Sequence, residues 1–275
     1  MYYKINLLIL LFIINYQLSA QNKNQEKPYS LEKDKRIYEE SIRKNINKNP
    51  SNEFIEHIIN ELNSNDEDRQ LQVMDLVIRV RDDRIIPILE NTILGTYSNQ
   101  LKKNCIEALR YYKSYSSKFI LIEALNDTSN MVKLQAAYTL AIFGEKELSF
   151  ETLKNLWKFL DWKGKMGINR GLRIIATNEA IELLKKNMND NNPHVAVTAA
   201  IALAKLGYYD DAFPKLKELL NNKDVCIGAM NGLAYIGNKR SLNLIRQMLN
   251  DKNFQVRLRS KRILEAYGEN VINNK

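Results

Sequence analysis

Histidine and cysteine are nearly absent from this chain. Of its 275 residues, two are His and two are Cys, placed at His57, His194, Cys105 and Cys226. So few thiols exclude a disulfide-framed scaffold, and the scatter of all four leaves no zinc-ligand spacing. Nucleophilic and acid–base chemistry usually calls on histidine within a cluster of titratable groups, and none is apparent. The one suggestive pair, His57 and Glu61 at helical spacing in FIEHIINEL, offers two ligands and no third. No P-loop, dinucleotide fingerprint, nucleophile elbow or zinc-protease helix is present. No catalytic residue, metal ligand or cofactor is therefore assigned. Glycine and proline are also scarce, at ten and five, which argues against tight hairpins. The abundance of Leu, Ile, Lys, Glu and Asn suits helices joined by short polar turns.

Only the first twenty residues carry a sustained apolar run. Lys4 precedes Ile5 to Ile14, and Leu18-Ser19-Ala20 ends in a small residue. The pattern reads as a secretory signal peptide over 1–20, cut after Ala20, because about ten apolar residues fall short of the roughly 20 a spanning helix needs. An uncleaved anchor or a buried N-terminal helix is the alternative. The expected location is periplasmic or extracellular.

Loss of Lys4 would lower the formal charge from +9 to +8. An exported basic protein seldom meets nucleic acid. Its expected counterparts are a protein or peptide, an anionic polymer, or a membrane surface touched peripherally.

Residues 21–30 (QNKNQEKPYS) read as a disordered linker, and 31–65 as two capping helices broken at Asn49-Pro50. From residue 66 to 275 the chain repeats itself. Six segments stack without a gap, beginning at Leu101, Val132, Met166, Val195, Val225 and Val256, with intervals of 31, 34, 29, 30 and 31 residues. Eight positions into each stands Leu or Ile (Leu109, Leu140, Ile174, Leu203, Leu233, Leu264), and twelve positions in stand Lys113, Gly144, Asn178, Gly207, Gly237 and Gly268. Gly or Asn there marks a helix stop in the left-handed conformation. A second apolar-periodic stretch follows most stops, as in AIELLKKNMND and AFPKLKELLNN. Its closing Asn or Asp can cap the next helix. A seventh, degenerate copy comes first, with Arg79 where an aliphatic residue is expected.

The pattern of Val, paired small residues, Leu and then Gly, with stretches such as AFPKLKELL and IIPILENTI, resembles short HEAT-like repeats of the phycobilisome-lyase kind over roughly residues 66–268. That resemblance implies an all-α, right-handed α-solenoid of about seven helix-turn-helix repeats, with second helices lining the concave surface. It does not carry lyase chemistry here, because no chromophore-attachment cysteine is identifiable. Four repeats separate Cys105 from Cys226, too far for a disulfide.

The fourth copy looks irregular. Its spacing is the longest, Arg170 fills its small-residue slot, and NLWKFLDWKGKMG before it holds both tryptophans with Lys158, Lys163 and Lys165. Trp157, Lys158, Trp162 and Arg170 are candidate partner-binding residues; the alternative is that Trp157 or Trp162 fills the space beside Gly167 and Gly171, with Arg170 turned to solvent. Lys185, Lys186, Lys217 and Arg246 on second helices would extend a basic stripe. The expected function is an exported, non-enzymatic scaffold for protein–protein interaction. A binder of anionic envelope polymer or lipid is the alternative, and a lyase-like enzyme comes third.

Overall fold

A computed structural model describes residues 52–269, which fall within one compact unit. The signal segment, the linker and the first capping helix lie outside the described residues. The second capping helix is α1 (Asn52–Leu62). Six helix pairs follow: α2 (Glu67–Val80) and α3 (Ile86–Leu94), α4 (Asn99–Tyr112) and α5 (Lys118–Glu123), α6 (Asn130–Ile142) and α7 (Lys146–Leu156). Then come α8 (Trp162–Ile175) and α9 (Asn178–Asn187), α10 (Pro193–Lys205) and α11 (Tyr209–Leu219), α12 (Cys226–Ile236) and α13 (Lys239–Gln247), with α14 (Phe254–Ala266) after the last pair. The described residues contain no strand. No helix among them is long and apolar enough to cross a membrane.

The architecture is a helical solenoid. First helices, from α2 to α14 in steps of two, pack on the neighbouring first helices; α6, α8, α10 and α12 also pack on their own second helices, while α4 packs on α3, the second helix before it. Such a helix must bury most of its circumference. α10 does so with PHVAVTAAIALAK, burying Val195, Ala196, Val197, Ala199, Ala200, Ala202, Leu203 and Ala204, and the alanines let neighbouring helices approach closely. Second helices cover one side only, so a single apolar stripe suffices, as in α13 with Ser241 and Ile245 buried. The core runs lengthwise. α6 feeds two stretches of it, with Val132, Ala136 and Leu140 toward the earlier helices and Leu134, Ala137 and Ala141 toward the later ones. Each fully buried Leu or Ile contributes roughly 1.5–3 kcal/mol.

The expected caps form where loops end in Asn or Asp. Asp66, Asp161, Asn192 and Asn253 accept backbone N–H bonds at the starts of α2, α8, α10 and α14. Two lysines staple successive loops, Lys102 to Asp127 at 2.8 Å and Lys165 to Asp190 at 3.1 Å. Burial opposes the charge on Asp127, but the bonds from Lys102 and the Ser129 N–H outweigh it and hold its carboxyl below the ordinary value.

The repeat register differs from the one read in the sequence. A left-handed residue ends or follows every first helix: Arg81, Lys113, Gly144, Ala176, Gly207, Gly237 and Gly268, at intervals of 32, 31, 32, 31, 30 and 31 residues. In the fourth copy the stop is Ala176, not Asn178, which lies at the start of α9. The segment therefore begins at Gly164, and the long spacing disappears. Arg170 is not in the small-residue slot, which Ile168 fills while fully buried. The first copy is regular too. Its stop is Arg81, so buried Val77 takes the aliphatic place that was assigned to Arg79.

Candidate functional site

A groove of about 410 Å³ runs across the outer face of the first-helix row, reached by residues of α6, α8, α10 and α12. It arises where the repeat register places small or apolar residues. Gly228 of α12, Val197 and Ile201 of α10, and Met166 of α8 line it, with Tyr138 of α6 at one end. A Cβ on Gly228 would stand 3.4 Å from Val197, so the glycine keeps this stretch shallow without close backbone packing. Three cations also line the groove: Arg170 and Arg173, one helical turn apart on α8, and Lys205 near the end of α10. Asp224 is the one carboxylate among its lining residues. None of the three cations forms an ion pair among the described residues. Lys205 lies over the ring of Tyr235, 4.5 Å from its centroid. Beyond the far end, Arg259 of α14 donates to the Asn231 side chain at 2.7 Å.

The residues singled out in the sequence divide between this groove and elsewhere. Arg170 is exposed and lines it. Trp162, 38% exposed, begins α8 and stacks on His194, ring centroids 4.9 Å apart, and His194 lines the groove in turn. Trp157 is different: it packs half-buried against the core, with Lys165 4.8 Å above its ring. Neither tryptophan fills the space beside the two glycines, which Leu134 takes at Gly167 and Leu153 at Gly171. Lys158 is exposed and lies 4.8 Å over the Phe159 ring.

Lys185, Lys186, Lys217 and Arg246 belong to second helices, away from the groove. Their charge is interleaved with carboxylates. Lys185 meets Glu182 at 3.1 Å and Asp211 at 3.4 Å, and its ammonium is held above the ordinary value first by Glu182. Arg246 meets Glu269 at 2.7 Å. The exposed Lys217 stands two residues from the Lys215–Glu218 pair. Lys186 and Lys217 form no ion pair among the described residues, so this row is neutralised at Lys185 and Arg246 only.

Arg173, Lys205, Tyr138, His194 and Ile201 were not recognised from sequence. The signal was present. Tyr138, Arg170 and Ile201 each stand six residues before a stop, and Lys205 stands two before one. A two-residue slip in the fourth copy hid that alignment by placing Arg170 at a buried position.

Below the groove is a buried polar bridge. Asn169, fully buried, donates to the Val195 carbonyl at 3.1 Å and accepts from Asn187 at 2.8 Å, tying α8, α9 and α10 together. Related positions hold Ala137, Ala200 and Met230. The thiols are remote from any such chemistry. Burial pushes Cys105 up to about 12 and also raises Cys226, and both are free and buried. Among the described residues, no group of three or more His, Cys, Asp or Glu could hold a metal.

No protein-family model and no curated protein matches the sequence. Solved structures do. The chain is similar to the complex of CpcE and CpcF of phycocyanin lyase from Nostoc sp. PCC7120, with 18% identity, a TM-score of 0.54, and 78% of this chain and 88% of that chain covered. An engineered protein covers 78% of the chain and 68% of its own at 18% identity and a TM-score of 0.40. Human deoxyhypusine hydroxylase covers 78% and 96% at 15% identity and a TM-score of 0.34. At these identities the likeness concerns the fold, which is that of a HEAT-like helical solenoid.

Proposed function

We propose that this chain is a non-enzymatic binding scaffold that takes a segment of a protein or peptide partner on its first-helix face, and that it acts after export from the cytoplasm. One observation carries the reading: a preformed groove with an apolar floor presents three cations that no carboxylate among the described residues pairs. Stacked repeats meet their ordering cost at folding, so a partner finds a rigid surface and loses little in rearrangement. The catalytic alternative lacks support in the side chains. Both thiols are buried and held protonated by desolvation, and neither lines the groove. The second-helix stripe that would have favoured an anionic polymer is broken by Glu182, Asp211 and Glu269.

The test is site-specific photocrosslinking in intact cell envelopes, with the reactive group placed at Ile201 in the groove or at Lys217 on the second-helix row. A recurrent protein adduct from Ile201 alone is expected. Equal adducts from both positions, or none from Ile201, would refute the assignment of the groove. Export has its own measurement: the N-terminus of protein recovered outside the cytoplasm should be Gln21.

A further inference from the structure

From the chemistry of the groove, and resting on the reading of it as the binding surface, we infer that its ligand is an extended peptide segment with two acidic side chains four residues apart on one face and an apolar side chain between them on that face. The cations decide the charge. Arg170 and Arg173 stand on α8 and Lys205 on α10, with Asp224 as their one acidic counterpart among the lining residues. Positive charge above an apolar floor, partly screened from water, attracts carboxylates more strongly than the same charge on an open surface. An arginine can also grip a carboxylate with two parallel bonds.

The spacing follows from the fold. First helices packed side by side lie about 8–10 Å apart, and an extended chain rises about 3.3 Å per residue. Arg170 and Lys205 stand six and two residues before their stops, which adds about 6 Å along the axis. A segment crossing diagonally from α8 to α10 thus spans about 10–12 Å. Side chains of an extended chain share a face only at even spacing, so the second carboxylate reaches Lys205 four residues on. Between those anchors the floor is Met166, Val197, Ile201 and Gly228, which offers nothing to a polar side chain and suits Leu, Ile or Val. Tyr138 lines one end as an aromatic wall, and the Tyr235 ring lies against the Lys205 ammonium.

A flat anionic membrane fits less well. The floor lies between helices, and a bilayer surface could touch the exposed heads of Arg170 and Lys205 without reaching Val197, which is 6% exposed. A peptide reaches both.

The experiment uses the mature chain from residue 21 and fluorescein-labelled ten-residue peptides with cores Glu-Ser-Leu-Ser-Glu, Gln-Ser-Leu-Ser-Gln and Lys-Ser-Leu-Ser-Lys in a Gly/Ser background, read by anisotropy. The Glu peptide is expected to bind, and the Gln peptide to bind at least about tenfold more weakly for the loss of two charge-assisted contacts. Raising NaCl from 0.05 to 0.5 M should weaken the Glu peptide and leave the Gln peptide nearly unchanged. Arg170→Glu/Lys205→Glu, both at exposed positions, should keep its helical circular dichroism, lose the Glu peptide and gain the Lys peptide.

Equal affinity for the Glu and Gln peptides overturns the acidic specificity. If both are then lost on filling the groove with Gly228→Phe, the groove remains the binding surface and only the ligand class falls. Failure of every peptide to bind overturns the specificity, and with no crosslink at Ile201 the scaffold reading falls with it. Binding of phosphatidylglycerol vesicles that is lost in the double variant, without binding of the Glu peptide, assigns the cations to a lipid surface and also overturns the inference.

Discussion

Replacing Asn169 tests whether the polar bridge beneath the groove holds α8, α9 and α10 together. Asn169→Ala removes the bonds to the Val195 carbonyl and from Asn187, at 3.1 and 2.8 Å, each worth about 1 kcal/mol net. It also strands the Asn187 amide, 3% exposed, at a further cost of about 1–3 kcal/mol for an unsatisfied buried group. The expected loss is about 3–5 kcal/mol. Asn169→Leu/Asn187→Leu removes both polar groups together and restores much of the volume, so it should recover most of that loss. The assay is urea unfolding followed by helical circular dichroism, arranged as a double-mutant cycle with the two single variants. A coupling energy of about 1 kcal/mol or more is expected. A cycle that closes additively, or an Asn169→Ala variant within about 0.5 kcal/mol of the parent, would refute the bridge as a structural element.

Ala176 adopts a left-handed backbone with φ +53°, so Ala176→Gly should stabilise the chain by about 0.5–1 kcal/mol in the same assay; a loss would mean the strain is relieved elsewhere. Gly232 and Gly228 should respond to alanine with opposite signs. At Gly232 a Cβ would stand 2.5 Å from Leu216 and 3.2 Å from Ile201, at a cost of about 1–3 kcal/mol, whereas Gly228→Ala has room and gains about 0.5–1 kcal/mol of helix propensity. Trp157→Ala should cost about 2 kcal/mol or more of stability because the ring packs on the core, while Trp162→Ala and Arg170→Ala should leave the melting temperature nearly unchanged. Neither thiol should react with Ellman's reagent at pH 8 until the chain is unfolded. The Cys105 value of about 12 lies above the ordinary 9.0, so the folded thiol keeps its proton where the unfolded one loses it. Stability should therefore be insensitive to this group below pH 9 and fall as pH rises from there toward 12, a trend that urea midpoints across that range would display.

Much of the fold was legible in the sequence because it is built from local signals. Apolar residues at helical spacing, Asn or Asp before most first helices and Ser98 before α4, and a stop every 30 to 32 residues are properties of consecutive side chains. Four of the seven stops are glycine and announce themselves. Arg81, Lys113 and Ala176 do not, since nothing in those residue types demands a positive φ. The slip of two residues in the fourth copy has that cause: the conformation at Ala176 is imposed by packing around the turn, while Asn178 two places on looked the better stop. With the stop at Ala176, Arg170 is no misfit in a small slot but an exposed residue on the groove.

By itself, then, the sequence determined an all-helical repeat of helix pairs, its period, its caps and the apolar stripes of its helices, because each of these depends on residues within a turn or two of one another. Tertiary structure alone decided which face of which helix row stays uncovered. A first helix is apolar over most of its circumference, and its periodicity does not say which sector a neighbouring repeat will cover. Only the stacking of α6, α8, α10 and α12 brings Tyr138, Arg170, Lys205 and Gly228 to one groove. The same stacking carries Lys185 and Arg246 to another row, where carboxylates from neighbouring segments meet them. Charge in a sequence is a count, whereas a binding surface depends on which of those charges are left without a partner.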